Sequence, residues 1–191
     1  MSVSPLIVPN NFVRDIYVGG DIDDETSSDF IRLIYTLEEM VPEEPIMVYI
    51  NNAGGRVMEA LAMYDAMTTV QCPVYTVGIG KIMSAAVVLL AAGEQGHRYL
   101  TPNATVMIHE VSARPGGTLS QLRESVQEIG RLQDIYLTLL SRHSGIPKDK
   151  LAKDISPNKD LYFNSEQAIS RGIADYIIAT RKNVFAKKKK K

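Results

Sequence analysis

The sequence predicts an α/β domain made of repeated βαβ units, with one long helix projecting from it. Three observations carry this expectation. The apolar runs 45–50 and 73–79 read as strands covered on both faces. Segments with apolar residues at steps of three and four alternate with them, as helices packed on a sheet require. Turns rich in Gly, Pro and Asn separate the two kinds. Repetition of such units implies right-handed crossovers and a largely parallel sheet.

Residues 13–18 form the first expected strand, closed by the turn Gly19-Gly20. Helix 23–40 opens on acidic residues and carries the stripe Phe30, Ile31, Ile34 and Leu37. Strand 45–50 runs into Asn51-Asn-Ala-Gly-Gly55, and a helix over 56–69 follows. Strand 73–79 leads through Gly80 into an apolar helix, 84–92. Short strands are expected at 98–100 and 105–108. The long helix, 118–143, places Leu119, Leu122, Val126, Ile129, Leu132, Ile135 and Leu139 on one face, and Gly145 and Pro147 stop it. It has no strand of matching length beside it and so is expected to stand out from the core. Helix 166–171 ends at Gly172, and a final strand covers 176–180.

A chain of 191 residues is long enough for one self-sufficient core. We divide it into a short tail (1–12), a single domain (13–182) and a basic tail (183–191). Ordinary apolar and charged fractions, 45% and 23%, argue against disorder, collagen and coiled coil. The lone Cys72 excludes an internal disulfide framework and a multi-cysteine metal site, and fits a reducing compartment. Of the 21 basic residues, five are the lysines 187–191, so the body is acidic and carries no footprint for nucleic acid. The lysine run reads as a solvated tail, with a docking role as its alternative. The longest apolar run, 83–93, is too short to span a bilayer, for which about 20 residues are needed. The first residues have neither the charge nor the length of a secretory signal. A soluble, cytoplasmic protein is expected.

Four stretches can carry chemistry. Gly54 and Gly55 let the backbone approach another group closely and present an N–H to a developing oxyanion; a tight strand-to-helix turn is the plainer reading. No GxGxxG fingerprint is present. Ser84 falls where a strand exit becomes a helix, suited either to a nucleophile or to an N-cap, and the GxSxG elbow is missing. His109 ends the run 105–109, a place for a general base. His97 and His143 read as structural, His143 sitting at a helix C-terminus where the dipole favours its charged form. A carboxylate must orient the base, and position alone hardly separates Asp160 from Asp154 or from a plain surface loop residue.

Taken together, Tyr49-Ile-Asn-Asn-Ala-Gly-Gly55, Ile79-Gly80, Ser84, Leu89-Leu-Ala-Ala-Gly93, Arg98-Tyr99, Pro102-Asn103, Val106-Met-Ile-His109 and Ala168 resemble the proteolytic-subunit (ClpP) family of Clp proteases, over about residues 13–180. The resemblance implies a crotonase-like α/β fold with a handle helix, here 118–143, and serine endopeptidase activity on unfolded proteins or peptides. It implies Ser84 as nucleophile, His109 as general base, Asp160 as its partner, and the N–H groups of Gly55 and Ala85 as oxyanion hole. It further implies two stacked heptameric rings of this chain enclosing the sites, fed by a separate AAA+ Clp ATPase. No metal or bound cofactor, no nucleic acid and no membrane enter.

Several stretches depart from the family's pattern. The serine loop reads Lys81-Ile-Met-Ser-Ala-Ala86 where the family has Gln-Ala-Ala-Ser-Met-Gly, and Glu110-Val111 replaces Gln-Pro. About two extra residues precede Asp160, with Lys159 in place of Arg. The Arg-Gly-Glu-Arg segment and first helix that line the family's axial pore and ATPase pocket are not found before the opening strand. Three other readings compete: a non-catalytic ring subunit, a crotonase-type enzyme acting on a coenzyme A thioester, and a phage-type maturation protease needing no ATPase.

Overall fold

The computed structural model describes residues 14–155 and 159–178; Val13, the last residues of the expected final strand and both tails lie outside the described residues. In chain order the elements are β1 (Asp15–Val18), α1 (Asp24–Met40), β2 (Ile46–Asn52), α2 (Val57–Thr69), β3 (Val74–Met83), α3 (Ala86–Ala91), β4 (Arg98–Leu100), β5 (Thr105–Ile108), α4 (Leu119–Ser144), α5 (Lys148–Ile155), β6 (Leu161–Asn164), α6 (Ser165–Ser170) and β7 (Tyr176–Ile177). The α/β architecture expected from the sequence is present, with β1-β2-β3-β4-β7 in parallel order.

β3 organises the sheet. Its first half pairs with β2 on one side and β4 on the other, Thr76 to Gly78 facing Arg98 to Leu100. Strand 73–79 was expected to end before Gly80, yet it continues to Met83, because Lys81 to Met83 acquire a second parallel partner, Thr105 to Met107 of β5. β5 in turn pairs antiparallel with β6, a strand the sequence reading passed over. Helix 84–92 shortens accordingly to six residues.

The helices cover one face. Phe30, Ile34 and Leu37 of α1, Ala60, Met63 and Met67 of α2, and all six residues of α3 bury against Ile16, Val48, Ile50 and Ile82 of the sheet. Asp23 caps α1 through its side chain, which accepts from the Thr26 N–H at 2.9 Å. The long helix divides into two halves. Tyr136, Leu137, Leu139 and Leu140 are buried in the core, whereas Leu119 and Val126 near the other end are each 65% exposed. Only its N-terminal half stands free of the core. α5, also absent from the sequence reading, packs back on α4 and buries Leu151 and Ile155.

A buried ion pair closes the far edge. Arg98, 4% exposed, donates from Nε to Asp175 Oδ2 (3.0 Å) and from Nη2 to Asp175 Oδ1 (2.6 Å), while its Nη1 reaches the His143 carbonyl (2.8 Å) at the end of α4. Burial raises the Asp175 carboxyl, but the hydrogen bonds and charge of Arg98 outweigh that and hold it below its usual range. The expectation that His143 is favoured as a cation is corrected here. Burial, with Arg98 and Arg142 nearby, pushes its imidazole down, and it pairs instead with the Tyr64 hydroxyl at 2.9 Å.

Candidate active site

Three strand ends meet at one point. Because Met83 of β3 is in register with Met107 of β5, the residues just beyond these parallel strands emerge side by side. The Ser84 N–H donates to the Met107 carbonyl (2.8 Å), and His109 follows one residue after β5 ends. β6 runs antiparallel to β5 with Leu161 opposite Ile108, so the residue before it, Asp160, arrives beside His109. Pairing of short strands thus collects side chains 76 residues apart in sequence, from 84 to 160.

His109 Nε2 lies 2.7 Å from Ser84 Oγ, a good hydrogen bond. On the other side of the ring, Nδ1 is 3.9 Å from Asp160 Oδ1, beyond hydrogen-bond length. Asp160 is the outermost of the three, with its side chain 52% exposed against 25% for His109. Contacts of this kind are often loose without substrate and shorten in the reacting complex. Asp154, the alternative carboxylate, faces Arg171 at 3.9 Å instead. His97 stacks on Tyr75, ring centroids 3.9 Å apart, on the opposite face of the sheet.

Ser84 is not an N-cap. It precedes the cap residue Ala85 and has φ +53, the only positive φ of a non-glycine among the described residues. This is a left-handed kink between strand and helix, of the kind that sterics disfavour and that persists when surroundings over-determine it. Here the Met107 carbonyl takes its N–H, while the Val87 N–H (3.0 Å) and the Tyr136 hydroxyl (3.4 Å) donate to its carbonyl. The kink lifts Oγ off the sheet towards the imidazole. Sequence patterns for an elbow look for flanking glycines, and here there are none.

The glycine is across the gap instead. A Cβ on Gly54 (φ +97) would lie 2.7 Å from Ser84 Cβ, 2.9 Å from the Met83 carbonyl and 3.2 Å from the Ala85 nitrogen. A Cβ on Gly55 (φ +156) would strike the backbone of Ile22. Gly55 bridges Ile22 in parallel fashion through its neighbours, the Gly54 carbonyl and the Arg56 N–H, which leaves the Gly55 N–H out of that pairing. The turn is therefore pressed between Ile22 and the serine kink, close to the start of α3. Gly54→Ala is expected to lower stability by about 1–3 kcal/mol and peptidase rate at least about tenfold, because Ser84 must move away from the added methyl. Thermal unfolding and a peptide hydrolysis assay on the same sample check both.

An open cleft of about 290 Å³ extends from the histidine, lined by His109, Val111, Ile129, Lys159 and Asp160 among others. No group of His, Cys, Asp and Glu suited to holding a metal occurs among the described residues, and none of their helices is long and apolar enough to cross a membrane.

A hydroxyl at a strained turn, an imidazole on it and a glycine turn pressed against the serine form an arrangement suited to serine-hydrolase chemistry. Comparison with known proteins agrees. The Clp protease family model matches residues 10–181. The chain is 41% identical over 170 residues to ATP-dependent Clp protease proteolytic subunit 2 of Streptomyces coelicolor, covering 88% of this chain and 77% of that one. It is 35% identical to the ATP-dependent Clp protease proteolytic subunit of Dehalococcoides mccartyi (89% and 84% covered) and 34% to that of Deinococcus radiodurans (89% and 83%). The chain belongs to the Clp protease family.

Proposed function

We propose that the chain cleaves unfolded proteins or peptides by a Ser84–His109–Asp160 mechanism inside a chamber built from copies of itself. With the ring proton on Nδ1, His109 accepts the hydroxyl proton at Nε2 as Ser84 Oγ attacks the peptide carbonyl. Asp160 holds the imidazole and stabilises its cation. The N–H groups of Gly55 and Ala85 receive the oxyanion, the latter assisted by its place at the start of α3. The imidazolium then gives its proton to the leaving amine, and water releases the acyl group by the same steps in reverse. The observation that carries this reading is the 2.7 Å contact between His109 Nε2 and Ser84 Oγ at a strained kink. A crotonase-type reaction uses no such pair, and a non-catalytic subunit has no reason to maintain it.

The relatives are named ATP-dependent, and we extend that partnership to this chain as a separate Clp-type ATPase that unfolds its substrates. The free N-terminal half of α4, with Leu119 and Val126 exposed and Leu122 and Ile129 half-buried, supports its use as the contact between two stacked heptameric rings. A single domain over residues 13–182 carries all of this.

One experiment tests chemistry and assembly together. A fluorophosphonate probe is expected to label Ser84, identified by peptide mapping, in particles that sediment as ring complexes. Absence of labelling in a folded assembly would assign a structural role, and monomers alone at micromolar concentration would overturn the chamber.

A further inference from the structure

We infer that Asn52 is a positioning residue whose carboxamide sets the turn presenting the Gly55 N–H to the oxyanion. The inference rests on the proposed serine mechanism and adds a residue that touches neither substrate nor nucleophile.

Asn52 ends β2 where the register with β3 slips, so that it faces Ile82. It is fully buried, and both ends of its side chain are engaged. Oδ1 accepts the N–H of Gly54 at 2.6 Å, and Nδ2 donates to the Gly20 carbonyl at 3.0 Å. A buried amide held at both its oxygen and its nitrogen has one orientation and little freedom. Its two bonds join two turns: the one after β1, reaching Ile22, and the one after β2, reaching Gly55.

Backbone bonds complete the joint. The Ile22 N–H donates to the Gly54 carbonyl (3.0 Å), and the Arg56 N–H donates to the Ile22 carbonyl (2.8 Å). Gly54 therefore has its N–H held by Asn52, its carbonyl held by Ile22, and its open α-face against Ser84 and Ala85. Of the hydrogen-bond partners among these supports only the Asn52 amide is a side chain. Without it the Gly54 N–H loses its partner, and the next peptide, which carries the Gly55 N–H, is left with a single tether, the Ile22 N–H on its carbonyl, about which it can tilt. Oxyanion donors act only at the right place, and displacement by about 1 Å can cost 100-fold in rate.

The test uses kcat per active site titrated with a fluorophosphonate, so that unfolded material does not count. Asn52→Ala is expected to lower kcat about 10- to 100-fold with KM within about twofold. Asn52→Ser is the rescue: a serine hydroxyl accepts from the N–H two residues on, but does not span to Gly20. It should recover kcat to within about fivefold of the native chain while keeping a lowered melting temperature. A peptide boronate, whose tetrahedral anionic adduct occupies the oxyanion hole, should lose affinity in Asn52→Ala by the same factor as kcat/KM.

Native kcat in Asn52→Ala, a serine variant as slow as the alanine one, or unchanged boronate affinity would each overturn the role. Should Asn52→Ala not fold, Asn52→Leu, of similar volume and without an acceptor, takes its place with the same expectations. Ser84→Ala run in parallel separates the two levels. Peptidase activity surviving there removes the serine mechanism itself, whereas the Asn52 series bears on positioning alone.

Discussion

Ser84→Ala is expected to reduce kcat/KM for a model peptide by at least about 10⁴-fold, leaving the fold and the assembly intact. Among the described residues Ser84 is the one whose nucleophilic atom lies in bonding range of His109 Nε2, so none of the others can substitute for it. What remains should be the modest contribution of the proposed oxyanion donors and of substrate binding. A second substitution separates chemistry from strain. Ser84→Gly removes the same hydroxyl but also relieves the φ of +53, which glycine adopts freely. It should be as inactive as the alanine variant and about 1 kcal/mol more stable. An inactive but stabilised glycine variant would mark the kink as strain held for function. Equal stability of the two would mean that the contacts from Met107, Val87 and Tyr136 fit a kink that costs nothing. Residual turnover in both variants would displace Ser84 from the mechanism.

The largest effect on stability is expected at Arg98. Its guanidinium binds Asp175 through two nitrogens and also holds the last turn of α4 through the His143 carbonyl. Arg98→Met keeps most of the side-chain volume but leaves the Asp175 carboxylate, 14% exposed, without its cation. Removing one partner of a buried pair costs about 3–5 kcal/mol, or a drop in Tm of roughly 6–20 °C for a chain of this size. Lysine should recover part of this, since it supplies charge without the planar fork.

The dependence on pH has a definite sign. The folded state holds the Asp175 carboxyl below its ordinary range, so the pair's contribution is present above about pH 4 and is lost as pH falls through the folded value. The difference between native and Arg98→Met proteins should therefore be greatest near neutrality and shrink in acid. A difference that stays constant between pH 7 and 3, measured by denaturant unfolding, would show that Arg98 acts by packing alone.

Arg98 and Asp175 also illustrate what could not be read in advance. They are 77 residues apart, and nothing about an arginine at the start of a short strand or an aspartate after a glycine turn announces a partner. The same holds for Asn52. A run of two asparagines before two glycines reads as a turn whichever asparagine does the holding, and only burial separates Asn52 from the half-exposed Asn51. β6 was more accessible: Leu161-Tyr-Phe-Asn164 is rich in strand-forming residues, but at four residues it is too short to carry a period.

The sequence by itself determined the alternation of strands and helices, because apolar periodicity is local and each element's pattern is complete within it. It also determined the family, since glycines, a serine and a histidine stand in one order at one set of spacings, each constrained by its own backbone need. Only the tertiary structure decided that β3 runs on to meet β5, that β6 closes beside them, and hence that Asp160 rather than Asp154 stands by the imidazole. Strand pairing is settled by partners distant along the chain, and no local pattern records which partner a strand will find.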